Sequence, residues 1–508
     1  MNFAGLLEFH ARSDPLALAV ADSRCRLDYG DLDALASRFG SAALAAGLTR
    51  GDRVAILLPN RVEEVIALLG AMKAGLLPVP LNWRLQGTDL ARVIDHAAPA
   101  LIVTQDDRLA EVGDGAGRIV VSAGQSARAG SFWQFVASGD PGLGAIGRQG
   151  RDIANLMYTS GTTSTPKAAI HTHAMRLAIA GAMADGFRLS RRDVALAVSP
   201  LFHTSGMSVL SNALFSGCPC ILMEKWDLAR FLQLLGQKGV TFLHLISTLM
   251  VDIATADRAL FDGLQSRVRM TWGGGHSIDP SLLEEYERRI GGTFVQGYAR
   301  TEGGLSYNSV DRERRSFAHH GFANENSSEM GIFDPATGLR CPDGTTGEIA
   351  VRGDGVSPGY WDGPMIRVPP SFDGGWQRTG DLGFIGADGA LRFLGRTDQM
   401  IKTGGENVYP SEVETALLRI PGVANAAVFG VPDPRWGQKV AAVVVRSAPE
   451  LTETDIDREI RRDLAGFKVP RLIAFVGDLP RLGNQKVDLR RCREMVLDGA
   501  TPAQVQQA

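Results

Sequence analysis

The chain runs to 508 residues, more than one compact core accommodates, so roughly two to four domains are expected. Hydrophobic residues make up 44% and charged residues 21%, the profile of a soluble globular protein, and a formal net charge of −3 argues against a nucleic-acid binder held by phosphate contacts. The five cysteines are odd in number and scattered, with only Cys218 and Cys220 close together; a zinc site is not expected and a reducing compartment is.

The first fifteen residues, MNFAGLLEFHARSDP, carry Glu8 and His10 within their apolar part and lack a basic start. They read as a helix stopped before Asp14-Pro15, not as a signal peptide. The weakly polar run 207–223 is interrupted by Asn212, Gly217 and Pro219 and is too broken to span a bilayer, so a cytoplasmic protein is expected. Apolar strands are expected at 53–58, 77–81, 100–104, 153–157, 194–198, 219–223 and 268–272, with a helix over 61–74 ended by Gly75 and further helical stretches between the strands. That alternation indicates an α/β architecture with largely parallel sheets, whose ligands collect beyond the carboxyl ends of the strands. The Gly-, Ala- and Ser-rich segment 113–150 reads as surface connection. Beyond Gly395 the pattern starts afresh. A capping box of Ser411 and Glu414 opens a helix, strands follow at 423–431 and 439–446, a charged helix over 452–465 ends at Gly466, and a strand covers 472–476. This last block is sized for a small separate α/β domain.

The most distinctive stretch is 158–172, YTSGTTSTPKAAIHT. A strand runs into a loop of Thr159, Ser160, Gly161, Thr162 and Thr163, and Lys167 follows Pro166. Backbone N–H groups, hydroxyls and one cation in so small a volume suit an oligophosphate; a Ser/Thr-rich surface turn is the plain alternative. A Walker loop is ruled out, because Pro166 stands where glycine should precede the lysine.

Three more stretches join it: QGYARTEGG at 296–304, QRTGDLG at 377–383 and GRTDQMIKTGGENVYPSEVE at 395–414. Together, in order and spacing, they resemble the signatures of the adenylate-forming superfamily, which includes acyl-CoA synthetases, aryl-CoA ligases, peptide-synthetase adenylation domains and firefly-type luciferases. The resemblance covers nearly the whole chain. It implies a large N-terminal α/β domain of several subdomains (1–395), a hinge (396–398, turning at Asp398) and a small mobile C-terminal α/β domain (399–508). It also implies ATP, Mg²⁺ and coenzyme A. The 159–167 loop would close over the β- and γ-phosphates. Tyr298 would lie against the adenine, with the Gly273–Gly274–Gly275 turn on its other side. Thr301 would bond the α-phosphate, Glu302 would help hold Mg²⁺, Asp381 would take the ribose hydroxyls, and Arg396 would assist. Lys486, in LPRLGNQKVDLR, matches the catalytic lysine, an ammonium placed where negative charge accumulates as pyrophosphate leaves.

The resemblance is strongest to acid:CoA ligases. Trp436, Phe467 and Lys468 match residues lining the CoA channel in the aryl-CoA branch, and Lys402, Gly404 and Gly405 belong to the face that meets CoA after the domain swing. His203 in PLFHTSGM, with Thr204, Met207, Trp272 and Gly303, is the expected acid pocket, although a packed strand-end histidine is the alternative for His203 and a core role for Trp436 and Phe467. Ser164 and Ala299 at usual glycines, Gln399 at a usual Asp and Gln377 at a usual Tyr depart from the family pattern while keeping the charged residues that bear the chemistry. The resulting expectation is an AMP-forming acid:CoA ligase acting on an aryl, alicyclic or fatty acid. The alternatives are an adenylating enzyme that loads a carrier-protein phosphopantetheine, and a non-catalytic nucleotide-binding relative. Superfamily members are often homodimers.

Overall fold

The computed structural model describes the chain except residues 114–118, 125–129, 160–165, 275–279, 312–315, 318, 364, 482–486 and 500–508. A nine-stranded sheet forms its centre. Six strands run parallel, in the order Thr293–Ala299, Met270–Gly274, Phe242–Ile246, Ala195–Ala197, Cys220–Leu222 and Leu18–Ala21, and antiparallel strands close both edges. The first of these in sequence, Leu18–Ala21, pairs with Cys220–Leu222 far along the chain. A second sheet of five strands is wholly parallel, with Arg53–Ile56 between Leu77–Pro80 and Leu101–Thr104. The alternating pattern reaches these elements within a residue or two. The helix Val62–Ala74 ends as expected at Gly75, whose φ of 76° places it in the left-handed region.

Two expectations about the sheets needed correction. The segment 113–150 is not merely connecting chain: Ile119–Ser122 and Gly130–Ser131 extend the parallel sheet, and the helix Phe132–Ala137 buries Phe132 and Val136 in the main core. The sheets are also less parallel than expected. Ile153–Thr159 and Lys167–Thr172 form an antiparallel hairpin extended by Tyr360–Asp362, and Glu329–Phe333, Gly347–Arg352 and Trp376–Ile385 build another antiparallel sheet.

The small C-terminal domain is a mixed sheet of Glu406–Val408, Ile401–Thr403, Gly437–Arg446, Val423–Asp433 and Leu472–Val476, with helices on both faces and its own apolar clusters. Its first helix, Pro410–Leu418, lacks the expected capping box. Ser411 Oγ donates instead to Leu394 O, tying the helix to the preceding strand, and Glu414 accepts from Val428 N at 2.9 Å. The box occurs one helix later, where Thr452 and Asp455 cap Glu453–Ile460 reciprocally. Among the described residues no helix is long and apolar enough to cross a membrane.

One buried group makes a testable demand. Glu64, in the helix Val62–Ala74, is 1% exposed, and among the described residues neither carboxyl oxygen has a hydrogen-bond partner. Burial alone pushes its pKa well above the usual carboxylate range. The folded state therefore keeps a proton that the unfolded chain releases, and stability falls as pH rises past the unfolded value. Glu64→Met is expected to stabilise the protein by about 1–3 kcal/mol at pH 8, with a smaller gain at pH 5, as read by urea unfolding at the two pH values. An advantage that stays the same or shrinks between pH 5 and 8 would count against a protonated Glu64.

Candidate active site

The site is assembled where the strand Thr293–Ala299 reaches its carboxyl end. Tyr298 is the last buried residue of that strand, and its hydroxyl donates to Asp381 Oδ2 at 2.6 Å. Asp381, on Trp376–Ile385 and 4% exposed, accepts a second bond on Oδ1 from Arg396 Nη1 at 2.9 Å. Arg396 also donates to Thr379 O at 3.1 Å and lies 3.4 Å from Asp398 Oδ1; burial lowers its pKa, but the two acids outweigh that and raise it. Asp398 itself is exposed.

Thr301 and Glu302 follow in the loop. The Thr301 carbonyl bonds His171 Nε2 at 2.7 Å, on the returning strand of the 153–172 hairpin. His171 is buried, and burial lowers its pKa to about 3, so the imidazole is neutral and Nε2–H is the donor. Glu302 Oε1 accepts from Tyr360 Oη at 2.6 Å, and Oε2 lies 3.4 Å from Arg300 Nη2. Burial raises the Glu302 pKa, but Arg300 and the Tyr360 hydroxyl overcome it, and the carboxyl ends up below its ordinary value. Tyr360 belongs to the strand that extends the 153–172 hairpin, so that hairpin reaches Thr301 and Glu302 through two side chains. At the hairpin, Thr159 faces Lys167 across the pair and its hydroxyl donates to Lys167 O at 3.4 Å. Ser160, Gly161, Thr162, Thr163 and Ser164 lie outside the described residues, as do Gly275 and Lys486.

Gly273 and Gly274 end the strand Met270–Gly274, just ahead of Gly275. Parallel pairing with the neighbouring strand brings Gly297 O within 2.6 Å of where a Gly274 Cβ would stand, so glycine is required there. Of the expected acid-pocket residues, His203 lines a small cavity with Arg84, Ser199, Phe202, Trp226 and Leu249. It caps the helix Thr204–Ser216, accepting from Ser205 N on Nδ1 at 3.3 Å. The structure places the other four as follows. Thr204 starts that helix, Met207 and Trp272 are buried in the main core, and Gly303 is bridged to Val356. The Trp272 ring lies 4.1 Å from that of His244, a buried histidine with its pKa lowered to about 3 by burial, which no sequence motif marks.

In the C-terminal domain Gly404, at φ 60°, donates to Trp436 O at 2.8 Å, and a Cβ there would meet the indole at 2.7 Å. Arg435 and Arg471 stand over the half-buried Trp436 ring at 4.9 and 5.7 Å. Asp433, paired with Lys439 at 2.8 Å, holds the Arg435 and Trp436 N–H groups. Lys402 and Gly405 are exposed on the adjoining strand pair. Lys468 donates to Glu412 beside Phe467, so its ammonium already has a carboxylate partner.

This geometry defines the class: the chain belongs to the AMP-binding enzyme family, whose pattern matches residues 7–361, followed by the AMP-binding enzyme C-terminal domain over 412–486. Its relatives include a feruloyl-CoA synthase of an Amycolatopsis species, 34% identical with 94% of this chain and 95% of that protein covered. A long-chain-fatty-acid–CoA ligase of Mycobacterium tuberculosis is 30% identical over 96% and 97% of the two chains. Among solved structures, ATP-bound MatB from Rhodopseudomonas palustris superposes with a TM-score of 0.87 at 30% identity, over 97% of this chain and 99% of that one.

Proposed function

We propose that the chain is an AMP-forming acid:CoA ligase. A carboxylate and ATP give acyl-adenylate and pyrophosphate, and the CoA thiol then displaces AMP to form the thioester. The observation that carries this reading is the convergence of Asp381, of Thr301 with Glu302, and of the 153–172 hairpin, from three separate stretches, at the carboxyl edge of the central sheet. In this reading Thr159, Ser160, Gly161, Thr162, Thr163 and Lys167 hold the β- and γ-phosphates, and Tyr298 with Gly273, Gly274 and Gly275 flanks the adenine. Asp381 has about four acceptor positions and two are in use, which leaves room for both ribose hydroxyls. Glu302, kept ionised, is the hard oxygen donor that Mg²⁺ prefers; the ion would neutralise phosphate charge there. Lys486 stabilises the charge that builds as pyrophosphate departs.

The domain division follows from the same reading: 1–395 adenylates, 396–398 is the hinge at Asp398, and 399–508 turns to exchange Lys486 for the face of Lys402, Gly404 and Gly405. Trp436, with its two arginines, and Phe467 suit the adenine and phosphates of CoA. The acid is aryl, alicyclic or fatty. Pyrophosphate release and thioester formation across a panel of such acids test the proposal. Acid-dependent release with a CoA thioester is expected. ATP binding without release for any acid overturns it, and release without thioester moves the acceptor to a carrier phosphopantetheine.

A further inference from the structure

Arg300 has no role in the scheme above, yet it stands at the centre of the site. Its side chain is 12% exposed, and its guanidinium is shared between two acids: Nη2 lies 3.4 Å from Glu302 Oε2 and Nε 3.7 Å from Asp381 Oδ2. Nη1 is buried and has no hydrogen-bond partner among the described residues. A planar fork ion-paired with two carboxylates is restricted in direction, and an unpaired N–H on a buried cation is costly to maintain. Around it the charges of Glu302 and Asp381 are balanced by Arg300 and Arg396, so the pocket meets a polyphosphate without a surplus of negative charge.

On the ligase reading, on which this inference rests, Asp381 holds the ribose and Glu302 the metal. The α-phosphate joins those two parts of the nucleotide, and Arg300 spans the same two residues. We propose that Arg300 is a nucleotide anchor whose Nη1 edge takes an anionic oxygen of the α-phosphate, in ATP and again in the acyl-adenylate. A guanidinium–phosphate bond is charge-assisted at both ends and directional, which a lysine in the same place reproduces only in charge. The plain alternative is an ion pair that only ties the Glu302 loop to the Asp381 strand.

Calorimetric titration of the full chain with adenosine, AMP and MgATP separates the two. Arg300→Met is expected to weaken AMP and ATP by about 10–100-fold while adenosine stays within about twofold. Arg300→Lys should fall between that variant and wild type for AMP. Equal losses for adenosine and AMP overturn the proposal, since they mean that Arg300 acts only by holding Asp381 in place; so does an Arg300→Met variant with wild-type AMP affinity. If Arg300→Met does not fold by circular dichroism, the AMP-to-adenosine affinity ratio of Arg300→Lys decides, a fall supporting the anchor and an unchanged ratio overturning it. A wild-type chain that binds neither AMP nor ATP overturns the ligase reading and the anchor with it, whereas normal wild-type binding with silent Arg300 variants removes the anchor alone.

Discussion

Lys486→Ala is expected to slow acyl-adenylate formation by about 10²–10³-fold, or about 2.7–4 kcal/mol of transition-state stabilisation, the range for removing one preorganised donor from a developing anion. Thioester formation from supplied acyl-adenylate should stay within a fewfold of wild type, because that step has no departing pyrophosphate to stabilise. Lys486 lies outside the described residues; Arg481 and Val487, on either side of 482–486, are bridged. Pyrophosphate release and CoA consumption measured separately give both rates. A variant that adenylates at the wild-type rate and is slow only in the second step would assign Lys486 to CoA instead.

Glu302→Gln should have the next largest effect. The amide keeps an oxygen for the Tyr360 hydroxyl and nearly the same volume, and Asp381 still faces Arg300, so the fold should persist with some loss of stability. What goes is the negative charge facing Arg300 and available to a metal ion. The Mg²⁺ concentration for half-maximal pyrophosphate release should rise by about 10–100-fold, with excess Mg²⁺ restoring part of the rate. Because the Glu302 pKa lies below its ordinary value, the carboxylate is charged throughout the working range, and the wild-type profile should show no break from it at pH 5 or above. An unchanged Mg²⁺ requirement would remove Glu302 from the metal site.

The family and most of the central sheets could be read from the chain because their signals are local. Strand-length apolar runs, Gly75 after a helical period, and four motifs in order all fall within short windows. The misreadings occur where a partner far away in the chain decides. Ser411 has the spacing of a capping box, but Leu394 O competes for its hydroxyl and wins. The 119–137 elements are short and sit in Gly- and Ala-rich surroundings, and only their pairing with Leu101–Thr104 and the burial of Phe132 make them part of a core. Tyr360 belongs to no motif, and Arg300 occupies a motif position without a motif role. Their importance depends on distances to Glu302 and Asp381 that no periodicity encodes. The acid pocket was the least legible part. Met207 and Trp272 lie in the main core, and their placement depends on residues far apart in the chain.

The pairing of Leu18–Ala21 with Cys220–Leu222 bears on how the protein is made. Val20 waits for Cys220, 200 positions later in synthesis. At about 5–20 residues per second that is roughly 10–40 s during which this apolar strand has only the adjacent Arg26–Asp28 to pair with. The wholly parallel sheet built on Arg53–Ile56 draws all its strands from within that interval and can form first. The nascent chain therefore carries a finished sheet beside an unfinished one, and the exposed LAVA segment is the part a chaperone would need to shield.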